Sequence, residues 1–200
     1  LFLSAFSPSA TDTILDIGVS GNDHISSNYL ERHYRFPGSI LALGVAPHPE
    51  LRLEFPSVTL LCGDARRLPL ADGSVDYVHS HAVIEHVGSR VNQARFLAEA
   101  CRVARKGVFI TTPNRWHPVE SHTGLPLLHY LPASVFRAVC QVMGKPMYAT
   151  EENLNLLGST ELRALAEGRD AEIQTVRWLG FVSNLVLVVR KSQTPKAHRR

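Results

Sequence analysis

Apolar residues fall along this chain in two rhythms. Short runs rich in β-branched and large aliphatic side chains alternate with stretches in which apolar positions return every three or four residues. The runs at 13–17, 39–44, 58–62, 75–80 and 108–112 read as strands. Between the last two, Phe96, Leu97, Ala100, Cys101 and Ala104 fall at helical spacing, and Gly107 stands where that helix is expected to stop. Strand, helix and strand in that order make a crossover unit. The whole pattern predicts a doubly wound α/β fold with a mostly parallel sheet of seven strands or slightly fewer. Residues 131–143 and 160–167 predict two more helices, the second capped by Ser159 or Thr160 and stopped at Gly168. Two final runs, 172–178 and 184–190, are separated by Leu179-Gly180-Phe181, which suits an antiparallel pair at one edge. Residues 113–132 are rich in Pro, His and aromatics and follow neither rhythm, as expected of a cover segment or a disordered one.

Length and composition narrow the class. A chain of 200 residues, 44% hydrophobic, supports one substantial core. A single domain over 1–190 is expected, with 191–200 as a basic flexible tail. The net charge of +3 is modest, and Lys191, Lys196, Arg199 and Arg200 carry much of it. No stripe of Lys and Arg interleaved with aromatics appears elsewhere, so nucleic acid is not an expected partner. No apolar run is long enough for a bilayer. The opening Leu1–Phe6 lacks the basic flank and length of a secretory leader. The chain starts on Leu1 rather than Met, and whether residues precede it stays open. Cys62, Cys101 and Cys140 have no CxxC spacing and lie in apolar runs. They are expected to be reduced, buried small hydrophobes, which fits a cytoplasmic protein.

In an open α/β sheet, ligands bind beyond the carboxyl ends of the strands, where strand order reverses. The loop after the first strand reads Asp16-Ile17-Gly18-Val19-Ser20-Gly21-Asn22. Glycine lets a backbone turn tightly and lets a ligand come close to it. An acid at a strand end can accept hydrogen bonds from an ammonium group. By itself this loop is as good a bland turn as a binding loop. The third loop adds weight. Cys62-Gly63-Asp64-Ala65 runs through Leu68-Pro69 and Asp72-Gly73-Ser74 into Val75-Asp76-Tyr77-Val78, and Ile84-Glu85-His86-Val87 follows. Over residues 13–114 these motifs together resemble the class I S-adenosylmethionine-dependent methyltransferases, in particular the broad "type 11" small-molecule group.

The resemblance implies S-adenosylmethionine as cofactor and a role for each matching residue. Asp16 would orient the methionine ammonium group, and Gly18, Ser20 and Gly21 would form the loop along which the cofactor passes. Asp64 would accept from the adenine amine, with the Ala65 amide at the ring edge. Ser80 and His81, with Ala82, would flank the methionine portion. Asp72 and Asp76 are expected to shape the turn and strand entry. There are two departures. Ser20 and Asn22 stand where the family has glycines, and Ala46 stands where it has the acid that holds the ribose hydroxyls, with His48 and Glu50 close by.

His86, beside Glu85, is the candidate general base, since methyl transfer to a hydroxyl needs the acceptor's proton removed. It could equally cap or pack at the start of the element that follows. His117, Glu120, His122 and Tyr130 are candidates to line the acceptor pocket. His79 and His81 share a strand face with His86 nearby, but none of the strong zinc spacings is present and no metal site is expected. A nicotinamide dehydrogenase is disfavoured, because GxGxxG and its distal acid are missing. The expected function is methyl transfer to a small-molecule acceptor, such as a hydroxyl of a sugar, lipid-linked intermediate or metabolite. The alternative is a non-catalytic methyltransferase-like binding or scaffold domain, which Ser20, Asn22 and Ala46 favour.

Overall fold

The computed structural model describes residues 1–21, 27–120 and 122–192. Asn22 of the glycine loop and most of the expected tail lie outside the described residues. Seven strands form one sheet: β1 (Ile14–Ile17), β2 (Ile40–Gly44), β3 (Thr59–Cys62), β4 (Val75–His81), β5 (Ala104–Pro113), β6 (Ala171–Trp178) and β7 (Phe181–Arg190). Their spatial order is β3-β2-β1-β4-β5-β7-β6. The first five are parallel, and β7 pairs antiparallel with both β5 and β6. This is the expected doubly wound α/β sheet with an antiparallel edge.

Side chains alternate across a strand, so a sheet covered on both faces needs apolar residues at successive positions. On one face Leu15, Ile17, Leu43, Val78, Ile110 and Leu187 pack together. They are covered by Phe96, Leu97, Ala100 and Val103 of α4 (Arg90–Val103) and by Leu162 of α6 (Ser159–Leu165). On the other face Ile14, Ala42, Tyr77, Phe109 and Val188 are covered by three short helices. These are α1 (Phe2–Phe6), α2 (Tyr29–His33) and α3 (Leu51–Glu54), the first two of which supply Phe2 and Leu30. A further helix, α5 (Ala133–Val142), buries Phe136 and Cys140 against Leu154 and Leu156. Among the described residues no helix is long and apolar enough to cross a membrane.

Several expectations need correction. Gly107 does not stop the crossover helix. α4 ends at Val103 and the chain enters β5 at once, four residues earlier than the apolar pattern indicated. Gly107 sits inside β5 because a Cβ there would overlap the ring of Phe6 from α1. α6 begins at Ser159 itself, capped by Glu161, which accepts from the Gly158 amide at 3.1 Å. Of the cysteines only Cys140 is buried; Cys62, at the tip of β3, is exposed, and Cys101 is half-buried. The segment after β5 is irregular yet self-packed, as in a compact Ω-type loop. The Tyr130 hydroxyl donates to the Trp116 carbonyl at 2.8 Å, and His129 Nε2 donates to the His117 carbonyl at 2.8 Å.

Asp76 ties the sheet's centre together. A register shift between Val75 and Tyr77 in the β4–β5 pair frees this residue from the ladder. Its carboxylate accepts from the Thr13 amide at 3.0 Å, the Thr13 hydroxyl at 3.1 Å and Arg105 Nη2 at 2.9 Å. Burial alone would raise its pKa, but the hydrogen bonds from Arg105 and Thr13 and the charges of Arg105 and Lys106 hold it at about 2. An acid whose folded value is depressed stabilises above its unfolded value, and that contribution fades as pH falls. Asp76→Asn is therefore expected to lose about 2 kcal/mol at pH 7 in urea unfolding. The gap between variant and native protein should close as pH falls from about 4 to about 2.

Candidate functional site

Strand order reverses between β1 and β4: β2 and β3 lie to one side of β1, β4 and β5 to the other. A crevice of 870 Å³ opens at the carboxyl tips there, within the usual range for small-molecule sites. Its walls include Gly18, Ser20, Gly44, Asp64, Ala65 and His86. A second hollow of 440 Å³ adjoins it, lined by Asp16, Asn28, His79 and His81. Residues 17–20 and Ala82 line both.

The loop after β1 is fixed from three sides. The amides of Gly18 and Val19 both donate to the Leu43 carbonyl, at 2.9 and 3.2 Å. Asn28 closes the loop's far side: its Oδ1 accepts from the Ser20 amide at 3.1 Å and its Nδ2 donates to the Ser20 carbonyl at 2.9 Å. Gly18 has φ +118°, and a Cβ on it would overlap Val83 Cγ2. Glycine is thus required by the packing of the β4 loop as well as by the turn. At Gly21 a Cβ would overlap Glu50 Oε1 and stand 2.9 Å from His48 Nδ1. The His48–Glu50 pair, 3.0 Å apart, therefore leans on the glycine loop, while Ala46 is exposed.

Asp16 is buried at the tip of β1 and its Oδ1 accepts from His79 Nδ1 at 2.7 Å. The His79 ring is held by stacking on Phe109, 5.6 Å between centroids. Behind Asp16 lies Glu31, also buried, with neither carboxyl oxygen hydrogen-bonded. Burial, then the charge of Asp16, pushes the Glu31 carboxyl far up, so the pair carries a proton near neutral pH. Glu31 lines neither hollow; it is a buried neighbour of Asp16 that the sequence did not single out. Ser80 is fully buried and donates to the Ile17 carbonyl at 3.1 Å, so it braces the two strand tips and stays out of the crevice lining. His81 shares a hydrogen bond of 2.6 Å with Thr111 Oγ1, and burial followed by the charge of His79 lowers its pKa.

Across the crevice, Ala65 is buried and Asp64 stands at the rim. Arg66 grips the Asp64 carboxylate with Nε at 2.9 and 3.0 Å and Nη2 at 2.7 Å, and the Arg66 amide adds a contact at 2.8 Å. Those bonds, chiefly the side-chain ones, lower the Asp64 pKa. A carboxylate has about four lone-pair directions, so capacity for one further donor remains.

The third cluster joins the β4 loop to the cover segment. His86 Nε2 and His122 Nε2 are 3.0 Å apart. His86 Nδ1 donates to the Asn153 carbonyl at 2.5 Å, and His122 Nδ1 bonds Glu120 Oε1 at 2.7 Å. Glu85 is wholly buried. Its Oε2 accepts from Thr112 at 3.0 Å, while its Oε1 has no hydrogen bond. Burial raises the Glu85 carboxyl to about 7. Burial would raise Glu120 too, but bonds from His122 and Thr123 hold it at about 2. His79 and His81 are not part of this cluster.

Comparison with known proteins follows the same lines. Residues 15–111 match a family described as a methyltransferase domain. A probable S-adenosylmethionine-dependent methyltransferase of Mycolicibacterium smegmatis is 45% identical over 67 residues, which is 32% of this chain and 25% of that protein. The match thus spans about a quarter of that relative's length. A crystal structure of a methyltransferase from Aquifex aeolicus shares the fold at TM-score 0.55 and 18% identity, over 89% of this chain and 81% of that one. A phosphoethanolamine N-methyltransferase of Haemonchus contortus, solved with S-adenosyl-L-methionine, gives TM-score 0.63 at 15% identity, over 96% of this chain and 51% of that one.

The Asp16–Glu31 pair makes a stability prediction independent of any ligand. An acid with a raised folded pKa costs stability as pH climbs above 4.5, its ordinary value. Glu31→Gln keeps the shape and removes that cost. Thermal melts should show the variant more stable at pH 8 by roughly 1–3 kcal/mol and indistinguishable from the native chain at pH 4.

Proposed function

We propose that this chain carries a class I S-adenosylmethionine-dependent methyltransferase domain and transfers the cofactor's methyl group to a small-molecule acceptor, with a hydroxyl as the acceptor atom; the family match over residues 15–111 and the mycobacterial relative support the first part. One observation carries the reading. Two adjoining hollows open at the reversal of strand order, one lined by Asp16 and the other by Asp64 and Ala65, with residues 17–20 of the glycine loop as their shared wall.

The residues present fit that cofactor. Asp16, with Glu31 behind it, would hold the ammonium group. Asp64 would give its spare lone pair to the adenine amine. Ser80 positions β1 against β4 and is not proposed to touch the cofactor. The cofactor supplies a methyl group on a positively charged sulfur, open to in-line displacement by an acceptor lone pair. His86 is the proposed catalytic residue. Its Nδ1 hydrogen is committed to the Asn153 carbonyl, so in the neutral ring Nε2 carries the lone pair. Burial lowers its pKa, partly offset by that carbonyl, which favours the neutral ring. Nε2 can then take the acceptor's proton as the oxygen attacks once the acceptor takes the place of His122 Nε2, which lies 3.0 Å from it. The crevice supplies room and alignment, which is most of what a displacement reaction asks of a protein.

Ala46 favours the second reading, a domain that binds without catalysing, because a ribose held by no carboxylate is held weakly. Titration calorimetry separates the two. S-adenosylmethionine is expected to bind with measurable heat, and Asp16→Asn to weaken it by about 10- to 100-fold, the worth of a hydrogen bond to a charged group. Absence of heat at near-millimolar ligand would leave the scaffold reading in possession. With a panel of hydroxylated acceptors, His86→Ala should lower kcat by about 10²- to 10⁴-fold while leaving cofactor affinity intact.

A further inference from the structure

We propose that Glu85, His86 and His122 form a binding site for one divalent transition-metal ion of the zinc class, joining the cover segment to the β4 loop. The proposal does not rest on the methyl-transfer reading.

The hydrogen bonds set the tautomers. A backbone carbonyl only accepts, so His86 Nδ1 must carry its hydrogen toward Asn153. Glu120 is fixed as an acceptor by the amides of His122 and Thr123, at 2.9 and 2.6 Å, so His122 Nδ1 carries its hydrogen toward Glu120. In the neutral rings both Nε2 atoms then hold lone pairs, and they face one another at 3.0 Å. Two lone pairs at that distance suit an electrophile held between them. A proton is the smaller choice, but it bridges only the two nitrogens. It leaves Glu85 Oε1 at 4.0 Å from one and 3.8 Å from the other, beyond hydrogen-bond reach. That oxygen belongs to a wholly buried carboxyl and has no hydrogen bond.

A metal ion serves all three. The three atoms form a triangle of sides 3.0, 3.8 and 4.0 Å, whose equidistant point lies about 2.1 Å from each corner, the length of a zinc bond to imidazole nitrogen or carboxylate oxygen. The surroundings also match what such sites require. Ligating histidines give their other ring hydrogen to a carboxylate or a carbonyl, as His122 does to Glu120 and His86 to Asn153. The ligating carboxylate is itself hydrogen-bonded, as Glu85 is by Thr112. Two nitrogens and one oxygen select a borderline ion over magnesium or calcium, which prefer oxygen throughout. Three protein ligands leave a fourth position, and since His86 also lines the crevice, water or an acceptor oxygen can reach the ion from there. Metal and proton compete for the same lone pair of His86, so an occupied site would make the ion, rather than the imidazole, the group that meets the acceptor.

The test uses the whole chain stripped with chelator, then titrated with zinc by calorimetry and with cobalt by visible absorption. One equivalent is expected to bind at micromolar Kd or tighter, with the intense visible bands of a four-coordinate cobalt ion. His86→Ala and His122→Ala should each weaken zinc by at least about 100-fold, and Glu120→Gln by about 10- to 100-fold through loss of the orienting bond. Glu85→Gln, nearly isosteric, guards against misfolding as the cause and should weaken binding too, while His48→Gln should not. Zinc should raise the melting temperature of the native chain and not of His122→Ala. No zinc binding below about 1 mM, or binding indifferent to both histidine substitutions, would overturn the proposal in favour of a shared proton. Titrating S-adenosylmethionine into the same stripped protein keeps the two claims apart, because either ligand can bind or fail without the other.

Discussion

The parallel pairing of β1 with β4 is the contact on which this end of the molecule depends. It sets Asp16 beside His79 and Ile17 beside Ser80, and it makes the reversal of strand order from which the crevice opens. Three polar devices hold it along its length. Asp76 binds Thr13 at the entry, His79 binds Asp16 near the tip, and Ser80 binds the Ile17 carbonyl beside it. Each lies where apolar packing alone would let the strands slide. In a sheet buried on both faces a slip of one residue would exchange the two cores, so the register is over-determined.

The same frame gives its carboxyls different charge states. Glu31 is buried beside Asp16, and burial followed by the Asp16 charge pushes its carboxyl far up. Glu85 is buried with a single hydroxyl donor and titrates near neutrality, whereas Glu120, also buried, has two amides and an imidazole and stays ionised far into acid. Asp64 is exposed and gripped by its own loop's arginine. Burial is not the deciding variable. The number of donors aimed at the carboxylate is.

Much of the fold was legible because both rhythms survive in the structure. The strands are apolar at successive positions, and the crossover helix repeats Phe96, Leu97 and Ala100 on one face. Errors arose where a residue answers to a distant partner. Gly107 looked like a helix stop and is cleared for Phe6 of a five-residue helix that no periodicity could reveal. Ser80 looked like a ligand contact and is a strap between strands. The positions of the strand-tip residues were legible, since the topology alone delivers Asp16 to one hollow, Asp64 and Ala65 to the adjoining one, and Gly18 to the wall between them. Glu31 was not, because its burial behind Asp16 is decided by where one helical turn docks. Nor was the meeting of His86 with His122, which lie 36 residues apart and are joined by a segment without pattern.

The departure at Ala46 reads differently once the loops are placed. An acid was expected there, next to the glycine loop; the carboxylate that leans on that loop is instead Glu50, steadied by His48. Glu50 is solvent-exposed and His48 half-buried, and the pair is held over a backbone that has no side chain at Gly21, so it contributes little to stability by itself. Yet it has a structural correlate, because any side chain at Gly21 would displace it. The Glu50 carboxylate, four residues along the loop from Ala46, fills the space that glycine leaves at position 21. Neither His48 nor Glu50 lines the crevice, so the pair steadies the outer side of the glycine loop rather than the crevice wall.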